Sequence, residues 1–102
     1  MRYITILGAT GSIGTSTLKV VEQNPQQYSV IGLAAGSNVE KMIELIDRWK
    51  PKYVAMACPE AASKLADTLK SNNLDTSVLS GPEGMCQIAS LEESDTVMAA
   101  IV

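Results

Sequence analysis

A doubly wound α/β fold, a parallel sheet with helices on both faces, is predicted by three observations. Apolar runs of strand length alternate with stretches of helical periodicity along the whole chain. The strand runs are nearly continuous rather than alternating polar and apolar, as in sheets covered on both sides. No hairpin signal or internal repeat interrupts the alternation, so right-handed crossovers are expected. In such a sheet a ligand sits at the carboxyl ends of the strands.

The first strand is Arg2-Tyr3-Ile4-Thr5-Ile6-Leu7, and the loop Gly8-Ala9-Thr10-Gly11-Ser12-Ile13-Gly14 follows it directly. Ile13, Thr17, Leu18 and Val21 then recur at helical spacing, giving a helix over residues 12–24 that Asn24-Pro25 stops. A strand, a glycine turn and a helix without spare residues form a phosphate cradle. Gly8 permits the tight turn, Gly11 lets the backbone approach a pyrophosphate, and Gly14 lets the helix pack closely. The helix dipole and the exposed first-turn amides favour a doubly negative ligand. The bland alternative is a turn that needs its glycines for packing alone. The spacing G-x-x-G-x-x-G is wider than G-x-G-x-x-G and is common among NADP-dependent families.

The second strand is Tyr28 to Ala35, ended by Gly36. Ser37-Asn38-Val39-Glu40 reads as a capping box with Ser37 at its head. It opens a helix whose apolar stripe is Val39, Met42, Ile43, Ile46 and Trp49, closed by Lys50-Pro51. Trp49 is expected as a core anchor rather than a stacking platform. A third strand covers residues 53–57. Pro59 suits the first turn of a third helix, whose predicted stripe is Ala62, Leu65, Ala66 and Leu69, with Ser71-Asn72-Asn73 at its end. A fourth strand is expected over 76–79. Ser80-Gly81-Pro82 then opens a short helix with Met85, Ile88 and Ala89 on one face. After the polar turn at 91–95, residues 96–102 read as a last strand, buried in the parallel manner.

The 102 residues, 46% of them apolar, suffice for one domain with a core. A net charge of −3 without a basic cluster argues against nucleic acid or an anionic membrane as partner. No run approaches the roughly 18 apolar residues of a membrane span, and no targeting segment precedes the first strand, so a soluble cytoplasmic protein is expected. With two cysteines, Cys58 and Cys86, and no histidine, neither a zinc site nor a Cys–His nucleophile pair is expected; both cysteines read as reduced and buried. The chain stops inside an apolar strand, and nothing in it could bind nicotinamide, substrate and a catalytic acid together. It therefore reads as the cofactor half of a larger enzyme.

The choice of dinucleotide turns on the end of the second strand. NAD-binding folds place a carboxylate about 20 residues after the glycine loop, on the ribose 2′-hydroxyl. Here that place is Ala34-Ala35-Gly36-Ser37-Asn38, without an acid. A 2′-phosphate would meet no repulsion there. Ser37 and Asn38 can donate hydrogen bonds to it, and Lys41 lies one turn onward. Ser37 could instead serve only as the helix cap.

Leu7-Gly8-Ala9-Thr10-Gly11-Ser12-Ile13-Gly14, Ser16-Thr17-Leu18 and Ala34-Ala35-Gly36-Ser37-Asn38-Val39 together resemble the 1-deoxy-D-xylulose 5-phosphate reductoisomerase family. So do Pro51-Lys52-Tyr53-Val54-Ala55-Met56, Val78-Leu79-Ser80-Gly81 and Val97-Met98-Ala99-Ala100-Ile101-Val102. The resemblance implies a Rossmann-like fold, with residues 1–102 as the N-terminal NADPH-binding domain and the catalytic and C-terminal domains lying beyond them. It implies an enzyme of isoprenoid biosynthesis, on the methylerythritol phosphate route. That enzyme rearranges the sugar phosphate 1-deoxy-D-xylulose 5-phosphate and reduces the product with NADPH to 2-C-methyl-D-erythritol 4-phosphate. It further implies a Mg²⁺ or Mn²⁺ ion, a homodimer and inhibition by fosmidomycin. By motif match, Thr10, Gly11, Ser12 and Ile13 fall at the pyrophosphate, and Gly36, Ser37 and Asn38 near the 2′-phosphate. Some family members carry lysine where Ser37 stands, which leaves Lys41 as a possible substitute. No catalytic and no metal-binding residue carries over, and the fragment alone is expected to be inactive. Two other readings fit the glycine loop: another NADP-dependent dehydrogenase domain, and a non-catalytic NADP-binding redox sensor.

Overall fold

The computed structural model describes residues 2–73 and 75–99. Strands and helices alternate through them as β1 (Arg2–Leu7), α1 (Ser12–Gln23), β2 (Tyr28–Ala35), α2 (Val39–Trp49), β3 (Tyr53–Met56), α3 (Pro59–Ser71), β4 (Ser77–Ser80), α4 (Gly81–Ala89) and β5 (Thr96–Ala99). Every strand pair is parallel, and the order across the sheet is β4-β3-β2-β1-β5. The chain winds outward from β1 to β4, then crosses back to add β5 on the free side of β1. The direction of winding therefore reverses between β1 and β5, at the strand whose carboxyl end carries the glycine loop.

Side-chain alternation decides what each face holds. Ile4 and Ile6 of β1, Leu33 and Ala35 of β2, and Val54 and Met56 of β3 share one buried cluster with Leu18 and Val21 of α1, Met42 and Ile46 of α2, and Leu65 and Leu69 of α3. Ala34 and Ala55 meet Ile88 of α4 on the other face. Helices thus lie on both faces, as the sequence predicts. Small residues bring α4 close: a β-carbon on Gly32 would lie 3.1 Å from Ile88 Cγ1.

A bulge sits in the β1–β2 ladder. Ile4 pairs with Val30 but Thr5 with Gly32, so Ile31 is an extra residue. Val30 and Leu33 consequently join the same cluster although three residues apart.

Several sequence expectations are corrected. Strand β3 ends at Met56 rather than 57, and β4 runs one residue later than 76–79. In α3 the buried residues are Ala61, Ala62, Leu65 and Leu69, while Ala66 is exposed. The stripe centres on the Ala61–Leu65 side, which turns Ala66 to its rim. In α2, Leu45 is buried alongside Met42 and Ile46, whereas Val39, Ile43 and Trp49 are partly buried against that core. Trp49 packs as an anchor with the Arg48 guanidinium 5.8 Å above its ring. In α4 only Ile88 of the expected face is fully buried; Met85 is half-buried and Ala89 exposed. Cys58 is half-buried and Cys86 exposed, both free thiols.

The largest departure is β5. Val97 is 41% and Met98 39% exposed, because among the described residues β5 pairs with β1 alone and forms the sheet edge. Val20 of α1, on the flank facing it, is also exposed. Residues 100–102 of the expected strand lie outside the described residues.

Candidate cofactor site

The glycine loop is held by the backbone of β2. Gly8 takes a positive φ of 79°, which turns the chain sharply at the end of β1. The amides of Gly8 and Ala9 then both donate to the Ala34 carbonyl, each at 2.8 Å. The Gly11 amide donates to the Gly8 carbonyl at 3.1 Å and closes the turn. The Gly11 carbonyl accepts from the Thr15 amide and the Thr15 hydroxyl, at 3.0 and 2.9 Å. Ala9 is fully buried beneath the loop.

The four glycines of the predicted site divide into two kinds. A β-carbon on Gly14 would lie 2.3 Å from the Gly8 carbonyl oxygen and 2.8 Å from Ala9 Cα, so the fold itself forbids a side chain. Gly8 is likewise required by its φ. Gly11 is different: its backbone is extended (φ −81°, ψ 173°), and a β-carbon there would make only an ordinary 3.5 Å contact. A β-carbon on Gly36 would meet nothing within 4 Å. Neither packing nor backbone strain calls for glycine at 11 or 36, and the space at Gly36 is open.

Helix α1 begins at this loop without side-chain capping. Its N-cap, Gly11, has no side chain to offer, and its first turn holds no acidic residue. Opening amides of a helix lack intrahelical partners and sit at the positive end of the dipole. Those of Ser12, Ile13 and Gly14 are such a set, aimed at the mouth of the loop.

The second predicted group lies beside the first. Leu7 pairs with Ala34, so the chain leaving β1 at Gly8 and the chain leaving β2 at Gly36 emerge from adjacent strands at the same, carboxyl end of the sheet. Gly36, Ser37 and Asn38 are exposed there. The Gly36 carbonyl accepts from the Cys58 amide at 3.1 Å, which ties this loop to the end of β3. The capping expectation shifts by one residue: Asn38 is the N-cap, its side-chain oxygen accepting from the Lys41 amide at 3.1 Å. The sequence offers a capping residue in either register, and the structure uses the asparagine. The Ser37 hydroxyl is left outside the cap.

No carboxylate stands at 34–38; the first is Glu40, in the opening turn of α2. The clearest charge cluster lies elsewhere, where Lys52 enters β3. Hydrogen bonding by the Lys52 ammonium, aided by the Tyr53 hydroxyl, holds the Glu93 carboxyl below the ordinary carboxylate value, and Glu93 in turn raises Lys52. This cluster is at the amino ends of the strands and takes no part in the cradle. Among the described residues, no group of three or more His, Cys, Asp or Glu side chains is gathered to hold a metal ion, and no helix is long and apolar enough to cross a membrane.

Gly8, Thr10, Gly11, Ser12, Ile13, Gly14, Gly36, Ser37 and Asn38 therefore lie on two neighbouring loops and the first turn of α1, at the carboxyl ends of β1 and β2. Sequence reasoning missed the double use of the Ala34 carbonyl, which is a backbone feature without a side-chain signature. It also missed the target of Gly14, which packs against the loop backbone itself.

The model of the family described as 1-deoxy-D-xylulose 5-phosphate reductoisomerase matches residues 4–102. The chain is 60% identical over all 102 residues to the 1-deoxy-D-xylulose 5-phosphate reductoisomerase of Aliivibrio salmonicida, and 59% identical to that of Photobacterium profundum. It spans 26% of the length of each. Among solved structures, it superposes on DOX-P reductoisomerase in complex with NADPH, fosmidomycin and magnesium, with a TM-score of 0.94 at 40% identity, covering 99% of this chain and 24% of that one. It also superposes on the Zymomonas mobilis enzyme in complex with NADPH, with a TM-score of 0.87 at 35% identity, covering 98% of this chain and 26% of that one.

Proposed function

This chain belongs to the 1-deoxy-D-xylulose 5-phosphate reductoisomerase family, and from that premise we propose that residues 1–102 form the NADPH-binding portion of such an enzyme. The whole enzyme would rearrange 1-deoxy-D-xylulose 5-phosphate and reduce the product to 2-C-methyl-D-erythritol 4-phosphate. Solved structures of its relatives contain NADPH and magnesium. The residues here suit the dinucleotide. Among the described residues no set of acids is gathered for the metal, and no step is assigned to a metal here. The proposal extends, by family resemblance, to a cytoplasmic homodimer acting on a sugar phosphate.

Each residue has a physical part in this reading. Gly8 and Gly14 shape the cradle. The stretch Thr10, Gly11, Ser12 and Ile13 receives the pyrophosphate at the positive end of α1, with the Gly11 amide kept by the Gly8 carbonyl and Gly11 contributing its lack of a side chain. Gly36 leaves room for the adenosine ribose, and Ser37 and Asn38 donate hydrogen bonds to the 2′-phosphate. Bound NADPH supplies a hydride; these residues orient the cofactor and hold its charge, and none of them is assigned a catalytic role.

The observation that carries the reading is that Gly11 and Gly36 are two glycines the fold does not require, a β-carbon meeting only an ordinary contact at the first and open space at the second. The test is calorimetric titration of the chain with NADPH and with NADH, repeated with Gly11→Val. Binding of NADPH that disappears in a Gly11→Val protein of unchanged circular dichroism is the expected result. Unchanged affinity in that variant would overturn the cradle assignment, as would absence of binding by the parent chain.

A further inference from the structure

We infer that Lys41 is the cation that selects the 2′-phosphate, held in reserve by Glu44 until the cofactor arrives; the inference rests on the cofactor reading above. A 2′-phosphate monoester carries close to two negative charges at neutral pH. The loop at 36–38 offers hydrogen bonds but no charge, and the nearest acid, Glu40 in the first turn of α2, opposes an anion. Some group must outweigh Glu40 for the phosphate to be preferred over a hydroxyl.

Lys41 is placed to do so. It is the third residue of α2, and its backbone amide is bonded to Asn38, so its long side chain starts within one turn of Ser37 and Asn38, although its ammonium rests on Glu44, toward the carboxyl end of the helix. Its amide is already taken by the Asn38 side-chain oxygen, which leaves the Asn38 amide nitrogen to face the ligand and leaves Lys41 only its side chain to contribute. That side chain lines a groove of about 120 Å³ between α1 and α2, together with Thr15, Leu18, Lys19 and Leu45. The groove continues to Glu22, Arg48 and Trp49 in the last turns of the two helices, and Lys41 and Thr15 line it from their opening turns. Its ammonium is 3.7 Å from the Glu44 carboxylate, with the two side chains 39% and 72% exposed. An exposed pair at that separation is weak and readily exchanged. A phosphate with two charges and several oxygens is the stronger partner.

The test is calorimetric titration of NADPH and NADH against the parent chain, Lys41→Met, Glu44→Gln and Lys19→Met. Lys41→Met is expected to weaken NADPH roughly tenfold and to leave NADH unchanged. Glu44→Gln is expected to tighten NADPH by about two- to threefold, because the ammonium is released from its competitor. Lys19→Met, one turn further down α1 in the same groove, is expected to change neither. If the parent prefers NADPH and Lys41→Met keeps that preference, the inference fails while the cofactor reading stands. Equal loss of both dinucleotides would also overturn it, because Lys41 would then act on the part they share. Absence of NADPH binding by the parent would remove the cofactor reading and this inference with it.

Discussion

Two glycine-to-alanine changes separate architecture from ligand binding at the scale of a single residue. In Gly14→Ala the new methyl would stand 2.3 Å from the Gly8 carbonyl oxygen, against main-chain atoms that cannot swing aside. A loss of about 3 kcal/mol is expected, enough to lower the melting temperature by roughly 12 °C or more in a domain of this size. In Gly36→Ala the methyl would enter open space. Stability is expected to stay within about 0.5 kcal/mol of the parent, while NADPH affinity falls because the methyl occupies ground proposed for the ribose. Thermal denaturation and NADPH titration of both variants check this contrast. A Gly36→Ala protein that binds as tightly as the parent would place the ribose elsewhere. The sequence presents these two glycines alike. What distinguishes them is the neighbour each one faces, and only the three-dimensional fold supplies that neighbour.

At the scale of elements, the caps and stripes show how far the chain can be read directly. Strand β2 and helix α1 lie where Gly36, Gly11 and Asn24-Pro25 punctuate the sequence, because those residues act on their own local backbone. The loop–strand–loop arrangement of the candidate site was legible for the same reason. The start of α2 was legible only to within a residue: Asn38 caps where Ser37 was expected. Asn38→Ala is therefore expected to cost about 1 kcal/mol, and Ser37→Ala less than about 0.5 kcal/mol, as urea denaturation of the two variants would measure. The reverse order would restore Ser37 as the cap. Ala66 and Val97 were misread for a different reason. Ala66 obeys helical periodicity, but the axis of α3 is rolled toward Ala61, and roll depends on the surface beneath. Val97 lies in an apolar strand of the parallel kind, yet it is exposed because β5 is at the edge among the described residues. Sheet position is a property of strand order, which hydropathy along one strand does not encode. The extra residue Ile31 belongs to this group as well, since a bulge is visible only once β1 and β2 are paired.

Across the whole molecule, the two faces of the sheet are unequally buttressed. On one face α1, α2 and α3 share a continuous cluster with β1, β2 and β3; on the other, among the described residues, α4 sets Ile88 on Ala34 and Ala55 in a smaller cluster with the partly buried Leu7, Tyr53, Leu79, Met85 and Leu91 around it. Both loops of the candidate site grow from β1 and β2, and the helices that follow them, α1 and α2, belong to the better-packed face. The cradle should therefore keep its shape when α4 opens. Native-state hydrogen exchange is expected to show amides of α4 exchanging through a local opening of lower free energy than those of β1 and β2. Leu65→Ala and Ile88→Ala extend the argument. Both residues are fully buried, and each truncation is expected to cost about 2–5 kcal/mol at its own site. The Leu65 loss should fall on the global stability, itself only about 5–15 kcal/mol, and accelerate exchange throughout β1, β2 and α1. The Ile88 loss should accelerate α4 first, and leave the amides of Gly8 and Ala9, bonded to Ala34, protected to the parent's level. If Ile88→Ala instead deprotects Gly8 and Ala9 as strongly as Leu65→Ala does, the two faces unfold as one unit and the cradle has no independent support.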